Sequence, residues 1–316
     1  MIKKCFTCYR EYTRSAKFCP HDGQKLTVLN QDPMIGVTLG KKYLLKKLIK
    51  VNLEGKIYLA DHTYMETPVL VKLLVLHEDP SKIALDAIRK DIHQAIALQH
   101  PNVMKILDFS FTNSNVPYLV TEKVIGSSLT RFLRQNKTLP LDKLLRILKP
   151  VCEVLHEAHQ NNFLHRHLSP NRVILSDIGN DKEDVKVVFP IGLTSNDPRY
   201  MSPEQAQGQE LTPSSDIYSL GAILYKALTG KVLFSNSSFL SLIYDHVNRL
   251  PMPLRFLNPN IPSTLCSVVL KAISKNPEHR QKSVLELLDQ VEDALATTKN
   301  TLPAKRSIIS NYQLAF

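Results

Sequence analysis

The chain has 316 residues, 43% of them hydrophobic, and a net charge of +11 from 40 basic and 29 acidic side chains. That is enough apolar material for a folded core and points to one large domain or two lobes. No run of about 18 apolar residues occurs, so no transmembrane helix is expected, and Met1-Ile2-Lys3-Lys4-Cys5 lacks the apolar core of a signal peptide. A cytoplasmic location is the default expectation. The basic excess clusters in residues 1–26, 41–56 and 299–316, with six Lys against one Glu in the second stretch. A clustered basic surface recruits phosphate, nucleic acid or an anionic membrane. No aromatic residues are interleaved in a base-stacking pattern, which makes a solvated face the plainer reading.

Three of the five cysteines fall in the first 19 residues, as Cys5-x2-Cys8-x10-Cys19-Pro20-His21-Asp22-Gly23. Two close cysteines followed by a Cys-Pro turn resemble a zinc ribbon, which implies a structural zinc ion held by Cys5, Cys8, Cys19 and one more ligand. Asp22 stands where the fourth ligand usually falls and His21 stands beside it. Position favours Asp22, ligand softness favours His21, and both stay open. So small a segment takes its folding energy from metal. Cys152 and Cys266 lie alone in apolar helical patterns and read as buried, inert thiols.

Residues 27–42 contain Asn30, Asp32, Pro33, Gly36 and Gly40, a linker composition. Short β-type runs follow at Tyr43–Val51, Lys56–Thr63 and Val69–Val75. A helix is expected over 81–99, with Leu85, Ile88, Ile92 and Ala95 on one face. Two strands, Val103–Phe111 and Tyr118–Glu122, precede a mostly helical second half. After about Ala296 the sequence reads as loosely docked or disordered.

The run His165-Arg166-His167-Leu168-Ser169-Pro170-Asn171-Arg172 resembles a protein-kinase catalytic loop, whose pattern is His-Arg-Asp-x-Lys-Pro-x-Asn. Asp216-Ile217-Tyr218-Ser219-Leu220-Gly221 looks like the start of the central C-lobe helix of that family, whose Asp ties down the catalytic loop. Ser202-Pro203-Glu204 resembles the Ala-Pro-Glu motif, with Arg280 as its buried ion-pair partner. Tyr200-Met201-Ser202-Pro203-Glu204-Gln205-Ala206 is especially similar to bacterial Hanks-type Ser/Thr kinases. The resemblance covers about Tyr43 to Leu295. It implies an α+β, bilobal protein-kinase-like fold, with a small β-rich N-lobe carrying one helix and a helical C-lobe. The expected organisation is a zinc ribbon at 1–28, a linker at 29–42, the kinase-like domain at 43–296 and a tail at 297–316.

The working positions of the family pattern depart from it. His167 stands at the base Asp, Ser169 at the Lys and Arg172 at the magnesium-binding Asn. Phe189 or Pro190 stands at the Asp of Asp-Phe-Gly. Of the three phosphate-loop glycines, only Gly55 remains. Lys72 keeps the strand lysine and Asp91 takes the place of its helix Glu. Leu70 replaces the Ala that touches adenine; with Ile57 and Ile174 it is expected to fill the adenine place. Thr121 is assigned to the same remnant cleft. Phe189 to Glu204 spans only 16 residues, a short activation segment. His165, Asp216, Glu204 and Arg280 are expected to serve structure.

Phosphoryl transfer relies on positioning and on neutralising charge with metal. On that ground the sequence predicts no catalytic residue, no use of ATP or Mg²⁺, and a pseudokinase acting as a protein-interaction scaffold or regulator with a protein partner. Two alternatives stand beside it. One is a weak or unconventional Ser/Thr transferase using Lys72 and His167. The other is an adaptor for nucleic acid or an anionic surface through the ribbon and residues 41–56.

Overall fold

The structure, a computed structural model, describes residues 2–4, 11–12, 17–20, 23–24, 27–29, 32–52, 54–74, 82–176, 184–192, 197–236 and 238–301. The chain divides into two units.

The first unit comprises Met1–Ile96, Met104–Val124 and Ile191–Ser195. Its N-terminal part pairs β1 (Ile2–Lys4) with β2 (Glu11–Tyr12) and β3 (Thr27–Leu29) in a small antiparallel sheet. Among the described residues, no group of three or more His, Cys, Asp or Glu stands together to hold a metal. The expectation of a zinc ion finds no support among them. What local order is described here comes from backbone pairing. Cys19 is buried in a turn, where its N–H donates to the Gln24 carbonyl at 2.7 Å and its own carbonyl accepts from the Gly23 N–H at 2.9 Å. Cys5, Cys8, His21 and Asp22 lie outside the described residues.

A six-stranded antiparallel sheet follows, built from β4 (Thr38–Leu39), β5 (Tyr43–Asn52), β6 (Gly55–His62), β7 (Pro68–Leu74), β8 (Ile106–Phe111) and β9 (Pro117–Glu122). Its order is β4-β5-β6-β7-β9-β8. Side chains alternate faces along a strand, so Val69 and Val71 enter the core with Leu45, Tyr58, Ala60 and Val120. Leu70 and Lys72 share the other face of β7 and are half-buried. Helix α1 (Lys82–Ala97) interrupts the strands and buries Ile88, Ile92 and Ala95 at helical spacing. The stretch that reads as a linker is ordered where described. It carries β4, and the buried Asp32 accepts from the Tyr58 hydroxyl at 2.9 Å and from Lys56 Nζ at 3.1 Å.

The second unit comprises Ala97–Val103, Ile125–Pro190 and Asn196–Phe316. It opens with β10 (Gly126–Ser128), α2 (Leu129–Asn136) and α3 (Leu141–Gln160). Then come β11 (Val173–Ser176) and β12 (Asp184–Val187), which pair antiparallel in the order β10-β11-β12. The helices α4 (Pro203–Ala206), α5 (Pro213–Thr229), α6 (Phe239–Asn248), α7 (Leu254–Leu257), α8 (Ser263–Ala272) and α9 (Val284–Thr301) complete it.

Helix α5 is the axis of this unit: 14 of its 17 residues are buried. A helix apolar on all sides belongs in the middle of a core. Thr212 and Pro213 begin it, and Gly230 ends it at φ 75°, a left-handed cap that only glycine adopts cheaply. Gly221 lets α8 approach, since a Cβ there stands 2.8 Å from the Ala272 Cβ. Cys152 and Cys266 are buried, and burial pushes both thiols up. Helix α9 runs on to Thr301, so the first residues read as a tail are helical. No helix among the described residues is long and apolar enough to cross a membrane.

Candidate active site

In the second unit, the catalytic-loop segment follows α3 and is tied to the first turn of α5. The Asp216 carboxylate accepts the His165 N–H at 2.9 Å and the Arg166 N–H at 2.9 Å. A third bond joins it to His159 Nε2 at 2.9 Å, from the last turn of α3. Arg166 needs that support because its φ is 62°, a left-handed conformation costly for a residue with a Cβ. Gln205 adds a further bond from its side-chain amide to the Arg166 carbonyl. Burial favours the neutral acid at Asp216, but the bonds from His159 and His165 outweigh it and hold the carboxyl below its ordinary range.

His165 is fully buried, and neither ring nitrogen has a hydrogen-bond partner among the described residues. Burial pushes its pKa down to about 3, so the ring is neutral at pH 7. It packs at 4.8 Å against Phe189, which stacks on Phe163 at 4.9 Å. Phe189 and Pro190 are both buried. Phe189, one of the two residues read at the metal-binding place, is therefore part of an aromatic stack. His167 is half-buried, and its N–H donates to the His165 carbonyl at 2.7 Å. Ser169 is buried and its carbonyl accepts the Arg172 N–H at 2.9 Å. The Arg172 carbonyl accepts from Val188 at 2.8 Å. Ile174 is half-buried on β11, paired with Ser128 and Lys186.

Glu204 and Arg280 form a buried bidentate pair at 2.7 and 3.0 Å. Burial raises the Glu204 pKa, but the guanidinium bonds bring it below the ordinary value. Helix α4 begins with a capping box, in which Ser202 and Gln205 exchange backbone and side-chain bonds. Glu204 is thereby presented at a fixed place.

The first unit carries the other residues. Gly55 sits opposite Leu74 and Ile57 opposite Lys72. Gly55 has φ 139°, and a Cβ there stands 1.8 Å from the Leu73 carbonyl oxygen. Leu70 pairs with Thr121 on β9. Lys72 Nζ bonds Glu54 Oε2 at 2.5 Å, a carboxylate at the end of the β5–β6 hairpin. Asp91, the expected partner, accepts the Gly192 N–H at 3.1 Å. Gly192 has φ 73°, and its missing Cβ makes room for Ile88, whose Cγ1 lies 2.7 Å from that position. Sequence reasoning missed Glu54, His159 and Gln205. The one signal for Glu54 was its place next to the last loop glycine.

The basic stretch 41–56 is partly neutralised. Lys42 pairs with Asp108 at 3.6 Å, Lys46 with Asp61 at 3.2 Å and Lys56 with Asp32 at 3.1 Å.

A small sheet unit with one long helix, a helical unit around a buried α5, and an Asp-clamped His-Arg loop define a protein kinase. The protein kinase domain family matches residues 53–291, and the chain belongs to that family. Within it, the chain is similar to bacterial Ser/Thr kinases. It is 27% identical over 270 residues to serine/threonine-protein kinase PrkC of Bacillus subtilis, covering 83% of this chain and 42% of that one. It is 31% identical over 264 residues to serine/threonine-protein kinase PknB of Mycobacterium leprae, covering 79% and 42%. The chain thus spans less than half the length of these relatives. Among solved structures, the Mycobacterium tuberculosis PknI kinase domain superposes with a TM-score of 0.68 at 21% identity, over 82% of this chain and 98% of that one.

These findings correct two expectations. The relatives carry the name of Ser/Thr protein kinases and none points to a scaffold, which overturns the reading as a pseudokinase scaffold. The protein kinase family uses Mg-ATP, which overturns the expectation that neither ATP nor Mg²⁺ is used. The retained kinase frame indicated the fold in the sequence, while function was inferred from the substituted working positions alone. Mg²⁺ takes oxygen ligands; Arg172 and the buried Phe189 and Pro190, the residues read from the sequence at the two ligand positions, carry no side-chain oxygen. Those residues do not fit the ion there.

Proposed function

We propose that the chain is a Ser/Thr-type protein kinase domain that contacts nucleotide phosphates through Lys72 and transfers the terminal phosphoryl group to a protein hydroxyl. His167 takes the place of the base. The bond formed joins the hydroxyl oxygen to phosphorus, the bond broken releases the nucleoside diphosphate, and the hydroxyl proton passes to the imidazole. An imidazole ring nitrogen accepts a proton from a hydroxyl, which suits it to this work. The observation that carries the reading is the clamp of Asp216 on the backbone of His165 and Arg166, because it fixes the segment that ends in His167. Without carboxylates at the two familiar metal positions, triphosphate charge is less well balanced and the transfer is slow.

The test is phosphoamino-acid analysis of a Ser/Thr-rich acceptor protein after incubation with labelled ATP. The reading predicts acid-stable phosphoserine or phosphothreonine from the native chain, and about a hundredfold less from His167→Asn. Equal label from His167→Asn contradicts the role of that residue.

A further inference from the structure

The Lys72–Glu54 pair is placed by the sheet. Strands β6 and β7 run antiparallel with Gly55 opposite Leu74 and Ile57 opposite Lys72. The end of the β5–β6 hairpin therefore lies two positions beyond Lys72 along β7. Gly55 holds it down, since its backbone approaches Leu73 so closely that no side chain fits. Glu54 is buried and turns back to Lys72 Nζ at 2.5 Å, with side-chain exposures of 9% and 14%. A bond so short between opposite charges away from water is a strong one.

A lysine that binds phosphate does so as a point charge. A carboxylate seated on that same ammonium is the nearest chemical equivalent of a phosphate oxygen. The two compete for the same cation and repel each other.

We propose that Glu54 is a built-in competitor of the nucleotide phosphates for Lys72, a latch that a bound triphosphate has to displace. This rests on the reading of Lys72 as the phosphate contact. The latch sets nucleotide affinity through the hairpin, and any event that draws the hairpin end away from β7 raises it. It gives Glu54 a role opposite to that of a positioning carboxylate, which orients the lysine and strengthens binding.

The experiment is calorimetric titration of the full chain with ATP and, separately, with adenosine. The proteins are the native chain, Glu54→Gln, Lys72→Ala and the double variant, each checked for folding by its thermal transition. Glu54→Ala serves if Glu54→Gln does not fold. Removing one repelling charge in a poorly hydrated place is expected to tighten ATP by about tenfold or more. Adenosine, which has no phosphate, is expected to gain nothing, and the double variant is expected to bind ATP no better than Lys72→Ala. Weaker or unchanged ATP binding by Glu54→Gln overturns the latch, and so does an equal gain for adenosine. If ATP binds none of the proteins, or binds Lys72→Ala as well as the native chain, the reading of Lys72 itself fails.

Discussion

Arg280 meets Glu204 through two parallel guanidinium–carboxylate bonds in a site closed to water, and donates in addition to the carbonyls of Ser274, Ser214 and Lys275. The two partners are therefore unequal. Glu204→Gln leaves the guanidinium its backbone acceptors and costs about 1–3 kcal/mol. Arg280→Met strands a buried carboxylate and three carbonyls, and costs about 3–5 kcal/mol. Denaturant unfolding of the full chain measures both. Equal costs contradict the accounting.

Asp216 is the centre of a second network. Asp216→Asn removes the charge that the two backbone N–H groups and His159 bond to, and turns a donor toward one of them. The expected loss is about 2–4 kcal/mol. Faster amide exchange at His165 and Arg166 is expected to accompany it. A loss of stability without faster exchange at these two amides contradicts the clamp.

Stability should fall in mild acid. Burial lowers the pKa of His165 to about 3 and of His246 to about 4, against an ordinary value of 6.5. Lys275 lies close to His246 and lowers it further. Below pH 6.5 the unfolded chain binds protons at these rings that the folded chain does not, so stability is whole above that pH and lost as pH falls toward 3–4. Each ring contributes a slope of about 1.4 kcal/mol per pH unit between those limits. The His165 ring nitrogens have no hydrogen-bond partner among the described residues, so His165→Leu removes one such slope while sacrificing none of the described bonds. An unchanged slope between pH 6 and 4 contradicts the burial argument.

Two glycines separate steric need from backbone need. A Cβ at Gly55 stands 1.8 Å from the Leu73 carbonyl, whereas at Gly208, with φ 67°, nothing lies within 4 Å. Gly208→Ala is expected to cost about 1–2 kcal/mol from backbone strain alone. Gly55→Ala costs more and lifts the hairpin end from β7. Comparison of thermal midpoints tests the order, and a smaller cost at Gly55 contradicts it.

The helical unit was legible in the sequence because its markers are local strings with one partner each. Ser202-Pro203-Glu204 is also a capping box, and Asp216 lies in the first turn of a helix apolar on every side. The strands of the sheet unit were legible from their alternation, with ends displaced by a residue or two, apart from the one sought at Val103, which starts at Ile106. The partner of Lys72 was not legible. Composition offers several acids near it in sequence, and the choice of Glu54 depends on hairpin register and on the close approach at Gly55. The stretch at 32–42 read as a linker because turn residues dominate it, yet Asp32 is fixed by Tyr58 and Lys56, 26 and 24 positions away. Function was misread from the same strings, because the absent carboxylates decided it and the retained frame was taken as evidence of fold alone.

The most direct test of a kinase reading is a single-turnover reaction of the native chain and Lys72→Ala with radiolabelled ATP and Mg²⁺. The account predicts slow transfer of acid-stable label to protein Ser or Thr by the native chain, reduced about a hundredfold or more in Lys72→Ala. No transfer by the folded native chain, or transfer that persists undiminished in Lys72→Ala, contradicts it.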